Sequence, residues 1–178
     1  MKKMAFGLTG ASNSGKTTLM ESLIQWFRKK GYSVSSIKHA HHGFDIDRPG
    51  KDSYRMREAG AGEVLLVGNQ RSVLMREFEN GTEPSLEDLI KSLAPCDLVL
   101  VEGFKDSPIP KIEVFRPELG KAPLWPYFPS IVAVASNVDI SCPLDVLDLS
   151  RPEQIAEFIE SQIFTKIFTN KTDVMPSA

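Results

Sequence analysis

One short motif constrains this chain more than any other part of its sequence. Residues 10–17 read Gly-Ala-Ser-Asn-Ser-Gly-Lys-Thr and fit the phosphate-binding pattern G-x-x-x-x-G-K-S/T. The preceding residues 4–9 form an apolar run typical of a short buried strand, and the residues after Lys16 place apolar side chains at helical spacing. A strand, a glycine-rich turn and a helix are the context that this pattern requires, so the sequence predicts a nucleotide-binding α/β protein.

The residue types of the motif have chemical roles in binding phosphate. Backbone N–H groups and the positive end of the following helix bind the α- and β-phosphates. Lys16 reaches the β- and γ-phosphate oxygens, the Thr17 hydroxyl is a magnesium ligand, and Thr18 contacts the α-phosphate. The alternative is a chance helix start without function. The predicted nucleotide-binding residues are Gly10, Ala11, Ser12, Asn13, Ser14, Gly15, Lys16, Thr17 and Thr18.

A second informative stretch is residues 97–103, which read Asp-Leu-Val-Leu-Val-Glu-Gly. A continuous apolar run that ends in an acid is typical of a fully buried central strand with a functional tip. We expect Glu102 to be a catalytic acid that holds magnesium or orients the attacking water, and Gly103 to allow close approach of a γ-phosphate. A solvated acid at a strand tip is the alternative.

The polar segment 38–53 shows neither a helical nor a strand period, which predicts a long functional loop. Its three histidines, at positions 39, 41 and 42, could bind zinc, but no cysteine accompanies them and its acids can equally serve magnesium. We expect one of the acids Asp45, Asp47 and Asp52 to position water or contact metal, with Asp52 as the catalytic candidate. We expect the lysines, the arginine and His39 to include a contact to nucleotide or a second anionic ligand. A mobile, solvated loop is the alternative. The candidates are Lys38, His39, Asp45, Asp47, Arg48, Lys51 and Asp52.

Periodicity and turn residues predict the other elements. A first helix runs from about Lys16 to Lys30 and is stopped by a left-handed glycine, Gly31. A strand follows, which gives a β-α-β unit with parallel strands. The other predicted elements are a hairpin of strands 63–67 and 72–77, a helix from 85 to 93, strands at 111–116 and 131–135, and a last helix capped by Ser150. The predicted fold is therefore a mostly parallel β-sheet flanked by helices, with an antiparallel β-hairpin extension.

Bulk properties bound the possible partners. A chain of 178 residues with 42% apolar content predicts a single domain over residues 1–168 and a frayed tail over 169–178. The net charge of −2 argues against nucleic acid and anionic membranes as partners. The two cysteines lack metal spacing, and no apolar stretch is long enough to span a membrane, so a cytoplasmic protein is expected.

Recognition of the base is the least defined part of the sequence. Residues 136–139 follow a late strand, where many GTP-binding proteins carry guanine-reading residues. The usual Asn-Lys-x-Asp pattern is absent because only Val138 separates Asn137 from Asp139. An ordinary turn at the end of a strand is an equally good interpretation.

Four segments in this order resemble the molybdopterin-guanine dinucleotide biosynthesis adapter proteins, the MobB family. They read GASNSGKTT, KHAHHGFDIDRPGKDSYRMREAGA, LVLVEGFK and PKIEVFR. The resemblance implies a P-loop NTPase fold, a homodimer, GTP binding with weak hydrolysis, and assistance to the nucleotidyltransferase that attaches GMP to molybdopterin. It also implies phosphate binding by residues 10–18, a metal-strand pair of Glu102 and Gly103, and active-site residues within 39–52.

The residues by themselves leave three classes of function open. The first is a GTP-binding adapter, the second a small-metabolite kinase or ATP-dependent ligase, and the third a module that retains nucleotide as a structural ligand. The kinase class is disfavoured because no arginine-rich lid segment is evident. Arg55, Arg57 or Arg116 could stabilise transition-state charge.

Overall fold

The computed structural model describes residues 3–40, 43–78 and 81–172. The chain divides into two compact units, one made of Met1–His39 with Leu86–Ala178 and the other of Ala40–Ser85. The elements in chain order are β1 (Met4–Thr9), α1 (Lys16–Lys29), β2 (Val34–Lys38), α2 (Asp52–Glu58), β3 (Glu63–Val67), β4 (Ser72–Arg76), α3 (Leu86–Ser92), β5 (Leu98–Glu102), β6 (Lys111–Phe115), β7 (Ile131–Ser136), β8 (Asp145–Asp148) and α4 (Pro152–Thr172).

The first unit is built on a six-stranded sheet in the order β2-β5-β1-β6-β7-β8. All of its strand pairs are parallel, so the carboxyl ends of the strands lie along one edge. The two strands beside β1 are β5, an apolar run, and β6, which alternates apolar with charged side chains. Both strands are buried along almost their whole length, as expected of central parallel strands. In this register Glu102 lies beside both Leu8 of β1 and Lys38 of β2.

Helices cover both faces of this sheet. Successive side chains of β5 point to opposite faces, so Leu98 and Leu100 join the core formed with α1 and α4, whereas Val99 and Val101 pack with α3. The larger core contains the apolar stripe of α1, including Leu23 and Phe27, both almost completely buried. The predicted mostly parallel sheet flanked by helices is confirmed.

The second unit consists of α2 and a separate two-stranded sheet. Strands β3 and β4 pair in antiparallel register, with Leu65 opposite Leu74, and Val64 is buried. The predicted hairpin is confirmed, and it forms its own sheet within the segment 40–85.

The end of the first unit differs from the prediction in two respects. The edge strand β8 was not predicted, because its four residues are mostly exposed and carry no apolar run. Ser150 does not cap the last helix: its hydroxyl donates to the Asp148 carboxylate (2.6 Å), and the Arg151 carbonyl accepts the first helical bonds. Pro152 then occupies the first helical position, which proline favours.

The last helix reaches Thr172, beyond the predicted start of the tail, and residues 173–178 lie outside the described residues. No helix in the described part of the chain is long and apolar enough to cross a membrane.

Candidate nucleotide-binding site

The glycine-rich turn between β1 and α1 is closely packed against β6. Gly10 has a φ of 133°, and a Cβ atom there would lie 2.3 Å from the carbonyl oxygen of Val114. Real Cβ atoms essentially never come within 3.0 Å of another heavy atom in this way. Only glycine therefore allows the chain to leave β1 in this direction, and the local sequence determines the path of the loop.

The Lys16 side chain reaches back across the loop. Its ammonium group donates to the carbonyl oxygens of Gly10 (3.0 Å) and Ala11 (2.6 Å). Burial lowers the pKa of Lys16, an effect that the nearby Glu102 carboxylate opposes and the Lys38 ammonium reinforces. The lysine thus places a positive charge at the mouth of the loop, with carbonyl partners that phosphate oxygens can replace.

Three predicted residues meet at the carboxyl ends of β2 and β5. The Thr17 hydroxyl donates to a Glu102 carboxylate oxygen (3.1 Å), and the Lys38 ammonium group lies 3.4 Å from the other oxygen. Lys38 also donates to the Thr17 hydroxyl (3.3 Å). Glu102 is only 9% exposed, so burial and the flanking cation hold its carboxylate close to the phosphate loop.

The donor chemistry of this group fits a phosphate-bearing ligand with magnesium. A hydroxyl and a carboxylate are the hard oxygen ligands that Mg²⁺ prefers. Among the described residues the Ser14 hydroxyl has no hydrogen-bond partner, although it is fully buried beside Gly10. Leaving such a hydroxyl unpaired costs about 1–3 kcal/mol, which a phosphate oxygen acting as acceptor would offset.

Gly103 and His39 lie together at the end of β5. The Gly103 N–H donates to the Leu8 carbonyl, and a Cβ atom at Gly103 would lie 2.8 Å from the Cβ of His39. The His39 N–H donates to the Glu102 carbonyl, and its ring stacks on Phe104 with centroids 4.5 Å apart. Glycine at position 103 therefore lets the backbone after β2 pack against the end of β5.

Two predicted loop acids, Asp45 and Asp47, share the guanidinium group of Arg57 inside the second unit. Asp47 also accepts from the Ser53 hydroxyl (2.8 Å), and its side chain is 5% exposed. Burial raises the pKa of the Asp47 carboxyl, but these hydrogen bonds outweigh it and the net shift is downward. The arginine partner could not be predicted from the sequence, because nothing in the spacing distinguishes Arg57 from Arg55.

The other loop candidates are exposed. Asp52 is the first residue of α2, Lys51 immediately precedes it, and Arg48 lies in the turn before them. His41 and His42 lie outside the described residues. Across residues 3–40, 43–78 and 81–172, no group of at least three His, Cys, Asp or Glu side chains is arranged to hold a metal ion.

Arg116 and Glu118, which follow β6, connect the phosphate loop to Asn137 at the end of β7. The sequence did not predict this connection. The Arg116 Nε donates to the Ser14 carbonyl (2.9 Å), and Glu118 accepts from Arg116 and from the Asn137 side-chain amide. No local signal reveals the contact between Arg116 and Ser14, since the two residues are 102 positions apart. Asn137 and Asp139, the candidate base-reading residues, line an open cavity of about 350 Å³ beyond β7.

A parallel sheet with a phosphate loop after its central strand and an acid at the tip of the neighbouring strand defines the class of P-loop NTPase folds. The family model described as "Molybdopterin guanine dinucleotide synthesis protein B", MobB, matches residues 5–137. The chain belongs to the MobB family.

Curated relatives agree with this assignment. The chain is 45% identical over 157 residues to the molybdopterin-guanine dinucleotide biosynthesis adapter protein of Haemophilus influenzae, covering 87% of this chain and 86% of the relative. It is 39% identical over 151 residues to the protein of the same name from Escherichia coli, covering 83% and 86%.

Solved structures show the same fold. The chain superposes on the MobB protein homolog from Bacillus stearothermophilus with a TM-score of 0.68 at 24% identity, covering 90% of this chain and 98% of the other. The Bacillus subtilis MobB structure gives a TM-score of 0.70 at 23% identity, with 90% and 98% covered.

Proposed function

We propose that this chain is a GTP-binding adapter with weak GTPase activity, which assists the enzyme that attaches GMP to molybdopterin. The observation that carries the proposal is the meeting of Thr17, Glu102 and Lys38 beside the phosphate loop. This arrangement occurs in a chain of the MobB family, whose curated relatives are named as adapters in the biosynthesis of molybdopterin-guanine dinucleotide.

In this proposal different residues of the first unit bind the phosphates and the magnesium ion. Lys16 exchanges its two carbonyl partners for β- and γ-phosphate oxygens, while the loop N–H groups and Ser14 bind the remaining phosphate oxygens. Thr17 and Glu102 hold magnesium, which when bound neutralises phosphate charge. Lys38 adds a second cation beside Glu102, so the acid and the two lysines keep the phosphates oriented.

Hydrolysis also needs a group that positions water. In the proposal Glu102 and Asp52 are the candidates, the former buried at the tip of β5 and the latter exposed at the start of α2. The loop residues His39, Arg48 and Lys51 include a contact to the nucleotide or to a second anionic ligand. Asp45 and Asp47 form ion pairs with Arg57. In the proposal these pairs hold one conformation of a switch loop that changes when the ligand binds.

The proposal extends to the biological setting. The adapter acts in the cytoplasm as a homodimer, with the molybdenum cofactor nucleotidyltransferase and molybdopterin as its partners. The adapter name carried by the curated relatives supports a partner enzyme.

The deciding experiment compares two lysines of α1 by calorimetric titration with GTP, with and without magnesium. Lys16→Ala removes the cation that bridges the loop, whereas Lys29→Ala changes an exposed lysine in the last turn of the same helix. Hydrogen bonds to charged groups contribute about 1.5–3 kcal/mol, so Lys16→Ala is expected to weaken GTP binding about 10- to 150-fold. Lys29→Ala should bind as the wild type does.

Four results would contradict the proposal at different levels. Unchanged GTP affinity in Lys16→Ala would end the assignment of the phosphate site. Tight ATP binding without a preference for GTP would refute the assignment of GTP as the ligand. Rapid transfer of the γ-phosphate to a metabolite would show that the protein is a kinase and not an adapter. A nucleotide that is retained at full stoichiometry without turnover would show that the nucleotide is a structural ligand.

A further inference from the structure

A cavity lies at the carboxyl ends of β7 and β8. Its volume is about 350 Å³, and its lining combines apolar side chains with amide, hydroxyl and carboxylate groups. Small-molecule sites have volumes of about 300–1,000 Å³, so this cavity lies at the lower end of that range and has room for a base. The lining residues are Ser136, Asn137, Val138, Asp139, Val146, Leu147 and Asp148.

The distance from this cavity to the phosphate loop suits the two ends of one nucleotide. The loop follows β1, and β7 is the second strand from β1 in the sheet, with β6 between them. Neighbouring strands are about 4.8 Å apart, and Thr9 at the end of β1 aligns through Glu113 with Val134, two residues before the end of β7. The carboxyl ends of β1 and β7 therefore lie roughly 12 Å apart. A ribose and an α-phosphate bridge such a separation.

A chain of hydrogen bonds joins the two places. The Arg116 Nε donates to the Ser14 carbonyl (2.9 Å), and another nitrogen of the same guanidinium donates to Glu118 Oε1 (3.2 Å). The same Glu118 oxygen accepts from the Asn137 side-chain amide (3.0 Å). Each link is a direct contact, so the phosphate loop and the cavity share one polar network of four residues.

The first link acts on the part of the loop that binds phosphate. In a trans peptide the N–H points away from the carbonyl of the same peptide group. Holding the Ser14 carbonyl on Arg116 therefore turns the Gly15 N–H to the opposite side of that peptide. Because the guanidinium is a rigid plane, Arg116 cannot rotate toward or away from Glu118 without changing its bond to Ser14.

We propose that Arg116 and Glu118 are positioning residues that couple occupation of the β7–β8 cavity by the base of the nucleotide to the conformation of the phosphate loop. A base that contacts Asn137 fixes the amide, and the amide fixes Glu118 and then Arg116. This inference rests on the proposed nucleotide binding and adds a specific route by which the base strengthens phosphate binding.

The test compares two probes that share the phosphates and differ in the base, namely GTP and inorganic triphosphate. The measured quantity is the dissociation constant of triphosphate divided by that of GTP. This ratio reports how much the base contributes to binding. Coupling between sites typically amounts to about 5- to 150-fold, and we expect Glu118→Ala to lower the ratio about tenfold. Glu157→Ala, an exposed acid on α4, is the control and should leave the ratio unchanged.

Two further variants separate positioning from a general loss of structure. Glu118→Gln keeps an oxygen that can accept from both Arg116 and Asn137, so it should recover most of the wild-type ratio. Arg116→Lys and Asn137→Ala should be non-additive when combined, because each breaks the same network. Circular dichroism of every variant checks that it is folded.

The outcomes distinguish the two levels of inference. If the wild type binds neither GTP nor triphosphate, both the nucleotide site and the coupling are refuted. If Glu118→Ala weakens GTP and triphosphate equally, or if the Arg116→Lys and Asn137→Ala effects add, the coupling alone is refuted.

Discussion

Replacement of Gly10 by alanine tests the packing of the phosphate loop most directly. A Cβ atom at this position would lie 2.3 Å from the Val114 carbonyl oxygen, a shortfall of 0.7 Å from the 3.0 Å that real Cβ atoms keep. Val114 is completely buried in β6, between β1 and β7, so its carbonyl cannot move without disturbing the sheet. Gly31 offers a matched control, because its φ is also positive, at 94°, but a Cβ atom there would meet nothing within 4 Å.

The two substitutions share one cost and differ in another. The positive φ costs an alanine about 1–3 kcal/mol at either position. Overpacking adds about 1–3 kcal/mol at Gly10 alone, so Gly10→Ala should lower the free energy of unfolding by about 2–6 kcal/mol. For Gly31→Ala the expected loss is about 1–3 kcal/mol.

Urea unfolding followed by circular dichroism measures these losses, and calorimetry measures GTP binding under conditions in which both variants remain folded. Gly31→Ala should keep the wild-type affinity, whereas Gly10→Ala should lose affinity because its loop is displaced. Equal destabilisation of the two variants would refute the reasoning, since it would mean that the contact with Val114 has no energetic effect.

Three other predictions concern charged groups. Burial lowers the pKa of Lys111 from 10.5 to about 8. Between these two pH values the unfolded chain binds more protons than the folded one, so the free energy of unfolding should rise with pH. Urea unfolding measured over this pH range should show the rise in the wild type and not in Lys111→Met. Hydrogen bonds from Ser33 lower the pKa of Asp97 below 3.8, so the stability they give is present above 3.8 and is lost on acidification, and acid unfolding of Asp97→Asn should show a weaker dependence on pH. Arg57→Met removes the partner of three carboxylates in the second unit and should speed limited proteolysis of residues 43–52, whereas Arg55→Met should not.

Each of these predictions has a clear contrary result. A rise in stability above pH 8 that persists in Lys111→Met belongs to other groups. An unchanged acid profile in Asp97→Asn would mean that its bonds to Ser33 add nothing to the stability of the fold. Equal cleavage of Arg57→Met and Arg55→Met would exclude Arg57 as the residue that holds the loop.

Elements with strong local periodicity were predictable. The strand before the phosphate loop is Met4–Thr9 as predicted, α1 ends one residue earlier than predicted, and the hairpin strands agree within one residue. Gly31 has the expected positive φ after α1. These features depend on neighbouring residues, because burial on one face and turn chemistry are both encoded within a few positions of the chain.

Two features of the fold were not predicted: a strand made of mostly exposed residues, and a serine hydroxyl that binds a nearby carboxylate instead of capping a helix. Strand β8 has mostly exposed side chains and takes its place at the sheet edge by pairing with β7, which no periodicity reveals. The prediction that Ser150 caps the last helix was wrong, since Asp148 at the end of that strand binds the hydroxyl. The roles of Asp52, His39, Arg48 and Lys51 stay predictions.

The sequence by itself determined the glycine-rich loop, the buried strands and the acid at the end of β5, because each is defined by residues adjacent in the chain. Only the tertiary structure brought Thr17 within 3.1 Å of Glu102, across a separation of 85 positions, and Arg116 to the Ser14 carbonyl. The physical reason is that parallel strands align their carboxyl ends, and the order of the strands, which no local pattern specifies, decides which of those ends become neighbours.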